Sequence, residues 1–453
     1  MAKRMVIIGG GPAGNTCATH AARFGAEVTV VERDVVGGAA HLWDCIPSKA
    51  MIATGSSLSA VNAAAGMGLT HASAELDFEA LKARIGSIED RLRTSVEGLL
   101  QSQGVRIIAG SGQLVAPDQV LVTAADGSTE TLPAEVVVLA TGSRPRIPEW
   151  APVDGRRVLT TRDAYPPPEL PDHLVVVGSG VTGVEFVHMF ASFGCEVSLI
   201  VSRQHVLPSK DPEVAAALEQ DFGARGVHLY KGARAVGIDV DDAGVTVRID
   251  DGRRVVGSHV LLAIGSVPNS EHLGLDAAGV DHDGGYVNVD HNLLSNVPGI
   301  YAAGDLSGKL PLSSVASMQG RKIAEHAMGL HAGPHRHLDY DKAASAIFTV
   351  PEIADVGLAE ADAFAEGRKI RVTKVPFSAN AKALIDNDPR GFVKIISDPA
   401  TGVVLGGSIV GRNAAELISV IALAVTAGLR VADIVESLLV HPALAEALSD
   451  AAE

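Results

Sequence analysis

The residues best equipped for chemistry fall in a few places along the chain. Cys45 stands in Gly37-Gly-Ala-Ala-His-Leu-Trp-Asp-Cys-Ile-Pro-Ser-Lys49, two residues before Pro47 and four before an ammonium. Thiol–disulfide exchange needs one thiolate to attack and a second sulfur to resolve the mixed disulfide. A second thiol would have to stand close by, and the chain offers Ala40 there instead. Gly9, Gly11 and Gly14, and again Gly178, Gly180 and Gly183, follow the G-x-G-x-x-G spacing. That spacing lets a backbone approach a pyrophosphate at a helix N-terminus. His441 and Glu446 lie five residues apart across Pro442. Such residues form either an oriented acid–base pair or an ordinary surface pair.

The elements that must position these groups read from apolar patterning. Residues 5–9 form a strand, Ala18 to Phe24 a helix, and Val28 to Val31 a second strand that ends at Glu32. An acid about 20 residues beyond the first glycine binds a ribose hydroxyl in a dinucleotide fold. Val136 to Gly142 reads as a buried strand ending in a tight turn. Leu174 to Gly178 opens a second fold of the first kind, closed by Val260 to Gly265. The copies superpose in text: Phe24-Gly-Ala-Glu-Val-Thr-Val-Val-Glu32 matches Phe193-Gly-Cys-Glu-Val-Ser-Leu-Ile-Val201. Two dinucleotide folds imply two nucleotides with electron transfer between them.

The copies differ after the second strand. Val201, Ser202 and Arg203 replace the acid, and an Arg can receive a 2′-phosphate that an acid would repel. This favours NADPH, or use of both NADPH and NADH; the alternative is that Arg203 is a solvated charge. Ile300-Tyr-Ala-Ala-Gly-Asp305 is a further strand running into Gly304-Asp305, with a helical stretch from about Ser313 that contains Ala316. An Asp there can hold a hydroxylated linker, and the helix N-terminus can face an electron-rich ring.

Length and composition bound the rest. A chain of 453 residues exceeds one ordinary core, so two to four domains are expected. Abundant Gly, Ala and Val with few aromatics suit α/β layers built on parallel sheets. A net charge of −16 argues against a nucleic-acid partner and an anionic membrane surface, local basic patches aside. No apolar run reaches the roughly 20 residues of a transmembrane span. Leu417 to Leu429 reads as a buried helix, and the basic start followed by Met5 to Ile8 as strand rather than signal peptide. Cys17, Cys45 and Cys195 are widely spaced, which fits a cytoplasmic location and supplies neither a disulfide framework nor a zinc site. No metal is expected. His331, His335 and His337 lie in a Gly/Pro-containing connection, Gly329 to Leu338, that reads as surface linker. Beyond Ala344, Ala346 to Thr349, Phe392 to Ile396 and Val403 to Val410 read as antiparallel strands, and Glu416 to Ala427 and Val431 to Leu439 as helices.

Together these motifs resemble the FAD-dependent pyridine nucleotide–disulfide oxidoreductases of the lipoamide dehydrogenase and glutathione reductase type. The resemblance spans nearly the whole chain. It rests on the first glycine loop with Glu32, Cys45-Ile-Pro-Ser-Lys49, Ala140-Thr-Gly142 and Gly178 to Glu185. It continues through Tyr301-Ala-Ala-Gly-Asp305, Phe348-Thr-Val-Pro-Glu352 and His441-Pro…Glu446. It implies two Rossmann-like domains, for FAD and NAD(P), and a C-terminal α+β dimerisation domain. The expected boundaries are 1–150 and 271–338 for FAD, 151–270 for NAD(P) and 339–453 for dimerisation. It implies a homodimer in which His441 and Glu446 reach the partner's flavin. Carried over residue by residue, Glu32 binds the adenosine ribose, Asp305 the ribityl chain, and Lys49 lies near flavin N5 and pairs with Glu185. Gly9, Gly11, Gly14, Gly38, Lys49, Thr141, Gly142, Gly304 and Ala316 join the FAD site. Gly178, Gly180, Gly183, Ser202, Arg203 and Gly265 join the NAD(P) site.

The departures are informative. Family disulfide reductases carry Cys-x-x-x-x-Cys; here the first Cys is Ala40 and only the flavin-side Cys45 remains. Trp43 either narrows the old disulfide groove or packs in the core. Val181 replaces a tyrosine lid, and Ser266 the usual Arg of the Gly-Arg-x-Pro-Asn turn. The Gly37-Gly-Ala-Ala40 run before a single Cys is similar to actinobacterial lipoamide-dehydrogenase-like quinone reductases. The resemblance therefore implies an NAD(P)H:quinone oxidoreductase, or diaphorase, with Cys45 a spectator or tuner whose pKa Lys49 and a helix N-terminus lower. The alternatives are a soluble NAD(P)+ transhydrogenase, a dihydrolipoyl dehydrogenase-like disulfide reductase using an external thiol, or a flavin-bearing scaffold without turnover.

Overall fold

A computed structural model describes residues 2–70, 73–330 and 337–453. They gather into two compact units. The first comprises Met1–Ser48, Lys82–Arg146 and Ser266–Tyr340; the second, Lys49–Leu81, Ile147–Gly265 and Asp341–Glu453.

The first unit is built on a seven-stranded sheet. Its parallel part runs Ile300–Ala302, Val136–Leu139, Arg4–Ile8, Glu27–Glu32 and Arg106–Ala116; two antiparallel strands, Gln119–Ala124 and Thr129–Pro133, extend it. Central strands of a parallel sheet are covered on both faces, so they read as unbroken apolar runs. Val6, Ile7 and Ile8 beside Val137, Val138 and Leu139 are such runs, all buried. Each contributes roughly 1.5–3 kcal/mol by leaving water. The helices Pro12–Arg23 and Ser313–Ala327 pack against one another beside this sheet, and Gly320 allows the approach: a Cβ there would stand 2.1 Å from the carbonyl oxygen of Ala13.

The second unit repeats the design. Its parallel sheet runs His228–Lys231, Glu196–Val201, His173–Val177, His259–Leu262 and Val158–Thr160. The repeat extends to single bonds. Gly9 N–H donates to Val31 O as Gly178 N–H does to Ile200 O, and Ala140 N–H to Ile8 O as Ala263 N–H to Val177 O. The same unit carries a five-stranded antiparallel sheet in the order Ser345–Ile347, Glu352–Gly357, Val404–Gly411, Phe392–Ser397 and Arg371–Pro376.

Two expectations need correction, and one of the two readings of Trp43 falls. The helix expected over Val431 to Leu439 ends at Val435, and Leu438 and Val440 are fully or largely exposed. Leu417 to Leu429 is not buried all round: within Ala414–Ala427, Ile418, Ile421, Ala424 and Val425 are buried while Leu423 is 64% exposed. Its other face borders a cavity of about 430 Å³ with Ala344, Ser345, Ala346, Ala415, Ser419 and Ala422. Hydrophobicity alone cannot separate a buried helix from one whose second face awaits a partner. Trp43 does not pack in the core; it is 37% exposed. His331 and His335, with most of the expected linker, lie outside the described residues.

Candidate active site

In the first unit the chain leaves Arg4–Ile8, turns through Gly9 and Gly11, and enters the helix Pro12–Arg23. Pro12 opens the helix without forfeiting a bonded N–H. Gly11, at its N-cap, supplies no side-chain cap, so the first-turn N–H groups stay open toward the loop. The tightness of the turn dictates Gly14, where a Cβ would stand 2.0 Å from Gly9 O; Gly183 repeats this at 1.9 Å from Gly178 O. Glu32 reaches back across the sheet. One carboxylate oxygen accepts Gly10 N–H at 2.6 Å and the other Asp34 N–H at 2.7 Å. Burial pushes its carboxyl upward in pKa, and those N–H groups oppose the rise. Gly38 lies against Gly11: a Cβ on Gly38 would meet Gly11 Cα at 2.6 Å.

The other first-unit residues gather around Asp305. Its carboxylate accepts the Ser143 hydroxyl at 2.5 Å. Gly304 N–H donates to Gln319 Oε1 at 2.7 Å, and buried Gln319 donates in turn to the Tyr340 hydroxyl at 3.0 Å. Ala316 is buried in the first turn of Ser313–Ala327, 3.8 Å from a Cβ built on Gly304. Gly142 takes φ +67° after the sheet strand. The Thr141 hydroxyl turns away to donate to Asn269 O at 2.7 Å, while the Asn269 amide donates to Thr141 O at 2.9 Å.

Ala40–Cys45 winds as a π-helix that passes into the α-helix Ile46–Asn62. Turns of this kind recur at functional sites. Its i→i+5 repeat stacks Ala40 and Cys45 on successive turns. Leu42 is buried as the anchor, and Cys45 is exposed. Ser48 donates to the Cys45 carbonyl at 2.9 Å. His41 is half-buried, 3.4 Å from the Ser313 hydroxyl, and burial lowers its pKa. No two cysteines are bonded to each other. Cys17 lies in the helix Pro12–Arg23 and Cys195 just before the strand Glu196–Val201, and burial pushes both thiols up to about 12.

In the second unit Lys49 Nζ donates to Glu185 Oε2 at 2.8 Å. The Glu185 side chain is 4% exposed and that of Lys49 35%. The other oxygen of Glu185 accepts Phe348 N–H at 2.9 Å, and Lys49 Nζ stands 4.8 Å from the Phe348 ring centre. A buried carboxylate with both oxygens engaged holds the ammonium at one place. Phe348 was not among the expected site residues, although it lies in one of the quoted motifs. Glu185 sits in the helix Val181–Ser192, which starts from Gly180, again without a side-chain cap. Ser202 and Arg203 are exposed past the end of Glu196–Val201, and the Arg203 side chain makes no ion pair among the described residues. Gly265 is exposed with φ +93° beyond the adjacent strand. Further along, His441 Nδ1 lies 2.7 Å from Glu446 Oε1, and the second Glu446 oxygen accepts Ala443 N–H at 2.9 Å. That backbone N–H first, then His441, lowers the carboxyl pKa of Glu446. Among the described residues no three His, Cys, Asp or Glu side chains converge on a metal position, and no helix is long and apolar enough to cross a membrane.

Paired glycine loops, each opening an uncapped helix, and a fixed ammonium on a buried carboxylate define a two-nucleotide redox protein. The pyridine nucleotide-disulphide oxidoreductase family model matches residues 3–320, and that family's dimerisation-domain model residues 343–452. The chain belongs to this family: it is an oxidoreductase that takes FAD and a nicotinamide dinucleotide, and it carries a dimerisation domain. It is 42% identical to an NAD(P)H dehydrogenase (quinone) of Mycobacterium tuberculosis, over 100% of this chain and 94% of the relative. It is 34% identical to a dihydrolipoyl dehydrogenase of Zymomonas mobilis, over 98% and 96%. Among solved structures it is similar to LpdA from M. tuberculosis, with TM-score 0.94, 41% identity, and 100% and 99% of the two chains covered. It is also similar to the HOCl-induced flavoprotein disulfide reductase RclA of Escherichia coli, with TM-score 0.88, 25% identity and 99% of each chain covered.

Proposed function

We propose that this chain is an NAD(P)H:quinone oxidoreductase that works without a redox disulfide. The observation that carries this reading is the π-helical turn: Ala40 stands one turn before Cys45, and the other two thiols lie outside this turn, Cys17 in the helix Pro12–Arg23 and Cys195 just before the strand Glu196–Val201. A lone thiol cannot resolve a mixed disulfide internally. The printed name of the M. tuberculosis relative supports the same acceptor class. FAD supplies the chemistry that links a two-electron hydride donor to a quinone.

The chain's own residues do the rest. Gly9, Gly11 and Gly14 admit the pyrophosphate of FAD, Glu32 accepts from the adenosine ribose, and Asp305 holds the ribityl hydroxyls. Gly38, Thr141, Gly142, Gly304 and Ala316 line that site. Lys49, fixed by Glu185, holds positive charge toward flavin N5, where it favours the reduced ring. Gly178, Gly180, Gly183 and Gly265 receive the nicotinamide dinucleotide. Exposed Arg203 beside Ser202 pairs with no carboxylate among the described residues, which supports acceptance of the 2′-phosphate of NADPH. His441, oriented by Glu446, turns its second ring nitrogen away from that carboxylate, where it serves as a proton-exchanging group; in a homodimer it serves the partner's flavin. The domain boundaries 1–150, 151–270, 271–338 and 339–453 and a cytoplasmic location belong to this reading. Cys45→Ser tests it: menadione reduction with NADPH should keep most of its rate, whereas near-total loss would put the thiol in the electron path.

A further inference from the structure

The helix Pro212–Ala224 begins at Asp211, in the N-cap position, yet Asp211 does not cap it. An Asp there ordinarily accepts a first-turn N–H, a contribution of about 1 kcal/mol. Here both oxygens go elsewhere. One accepts Lys394 Nζ at 2.7 Å and the other Ala361 N–H at 3.1 Å. Lys394 projects from the strand Phe392–Ser397, its side chain 1% exposed, and also donates to Glu213 at 2.5 Å and Glu360 at 3.0 Å. Three carboxylates thus take the three N–H bonds of one buried ammonium. Around it, Lys374 donates to Glu213 at 2.7 Å, Lys210 pairs with Asp355 at 2.6 Å, and Arg390 holds Asp221 near the far end of the same helix at 2.9 Å. A buried ion cluster adds little net stability over a packed apolar one. What it imposes is a single geometry.

That geometry is passed along the chain toward the second glycine loop. Between Arg203 and Asp211 the backbone is tied at three places, the N–H groups of Val206, Leu207 and Lys210. Val206 N–H donates to Glu219 at 2.9 Å, on the clamped helix. Leu207 N–H donates to Ser179 O at 2.8 Å, and Lys210 N–H to Leu207 O at 2.9 Å. Leu207 is buried with φ +49°, a left-handed conformation that a side-chain-bearing residue keeps only when its surroundings over-determine it. Ser179 lies between Gly178 and Gly180. The C-terminal sheet, the helix start, the 203–211 loop and the glycine turn are therefore joined by consecutive bonds within one unit.

We propose that Asp211 and Lys394 are positioning residues for the nicotinamide dinucleotide: the clamp sets the 203–211 loop, and through it the Gly178–Gly180 turn and Arg203. A lysine of the C-terminal domain thereby governs nucleotide affinity without touching the nucleotide. This rests on reading the second glycine loop as the nucleotide site. Asp211→Asn and Lys394→Met test it in the FAD-loaded enzyme, by calorimetric titration with NADP+ and NAD+. Asn keeps the side-chain volume and an acceptor for the Ala361 N–H, and leaves Lys394 two carboxylates, so Asp211→Asn folds even if Lys394→Met does not. NADP+ affinity should fall about tenfold in Asp211→Asn, within the usual range of site coupling. Menadione reoxidation of dithionite-reduced enzyme, which needs no nucleotide, should be unchanged. Wild-type affinity in both variants, with or without a lower melting temperature, would overturn the proposal. Wild-type enzyme that binds neither nucleotide would instead overturn the reading of the glycine loop.

Discussion

Lys49→Met offers the sharpest perturbation of the charge centre. Lys49 and Glu185 stand 2.8 Å apart, so at an effective dielectric of about 20 their gross attraction is about 6 kcal/mol. Desolvation offsets much of that. The measurable cost of deleting the lysine is the carboxylate left behind, buried and retaining only the Phe348 N–H. Breaking a buried pair in this way costs roughly 3–5 kcal/mol. The partial exposure of Lys49 screens the pair and lowers the expectation to about 2–3 kcal/mol. Glu185→Gln keeps the volume and an acceptor for Phe348, and leaves an ammonium that water still reaches; its cost should be about 1–2 kcal/mol. The double variant holds no stranded charge, so the cycle should show a coupling of about 2 kcal/mol in urea unfolding. In anaerobic stopped flow, NADPH reduction of the flavin in Lys49→Met should slow about a hundredfold, as when one preorganised electrostatic group is removed. Additive single-variant costs, or a wild-type reduction rate without Lys49, would refute the reasoning.

Other outcomes follow from single residues. His188 is buried, accepts from Arg225, and is pushed down from 6.5 to about 3 by burial first and the Arg225 charge second. The unfolded chain then binds the proton more readily between those values. The stability from neutral His188 is full above pH 6.5 and is lost toward pH 3, at up to about 1.4 kcal/mol per pH unit; His188→Asn should flatten that slope in acid unfolding. Leu423→Asp on the exposed face of Ala414–Ala427 should shift light-scattering mass toward the monomer, and an unchanged mass would remove that face from the interface. Gly14→Ala should abolish FAD retention, read from the visible spectrum of the purified protein, because its Cβ would overlap Gly9 O.

What the sequence could disclose depended on range. The glycine loops, Glu32 and the strand ends were legible because sterics and dinucleotide geometry impose local spacings. His441 and Glu446 were legible as a pair because one turn joins them. Phe348 at Glu185, Asn269 at Thr141 and Lys394 at Asp211 were not, since each contact is made by folding distant segments together and leaves no periodic trace. Asp211 stands at the N-cap of Pro212–Ala224, and only the fold shows its carboxylate taken by Lys394. Val431 to Leu439 read as one helix because apolar spacing continues past Val435, where the chain instead leaves Leu438 and Val440 outside the core. Trp43 had two readings, and only its surroundings excluded burial in the core.

The central claim is that electrons leave without passing through a protein disulfide. The purified wild-type enzyme, with NADPH or NADH, should be mixed in turn with menadione, lipoamide and oxidised glutathione, with no added thiol. Rapid turnover of menadione and negligible turnover of both disulfides is the predicted result; sustained reduction of lipoamide or oxidised glutathione would contradict it.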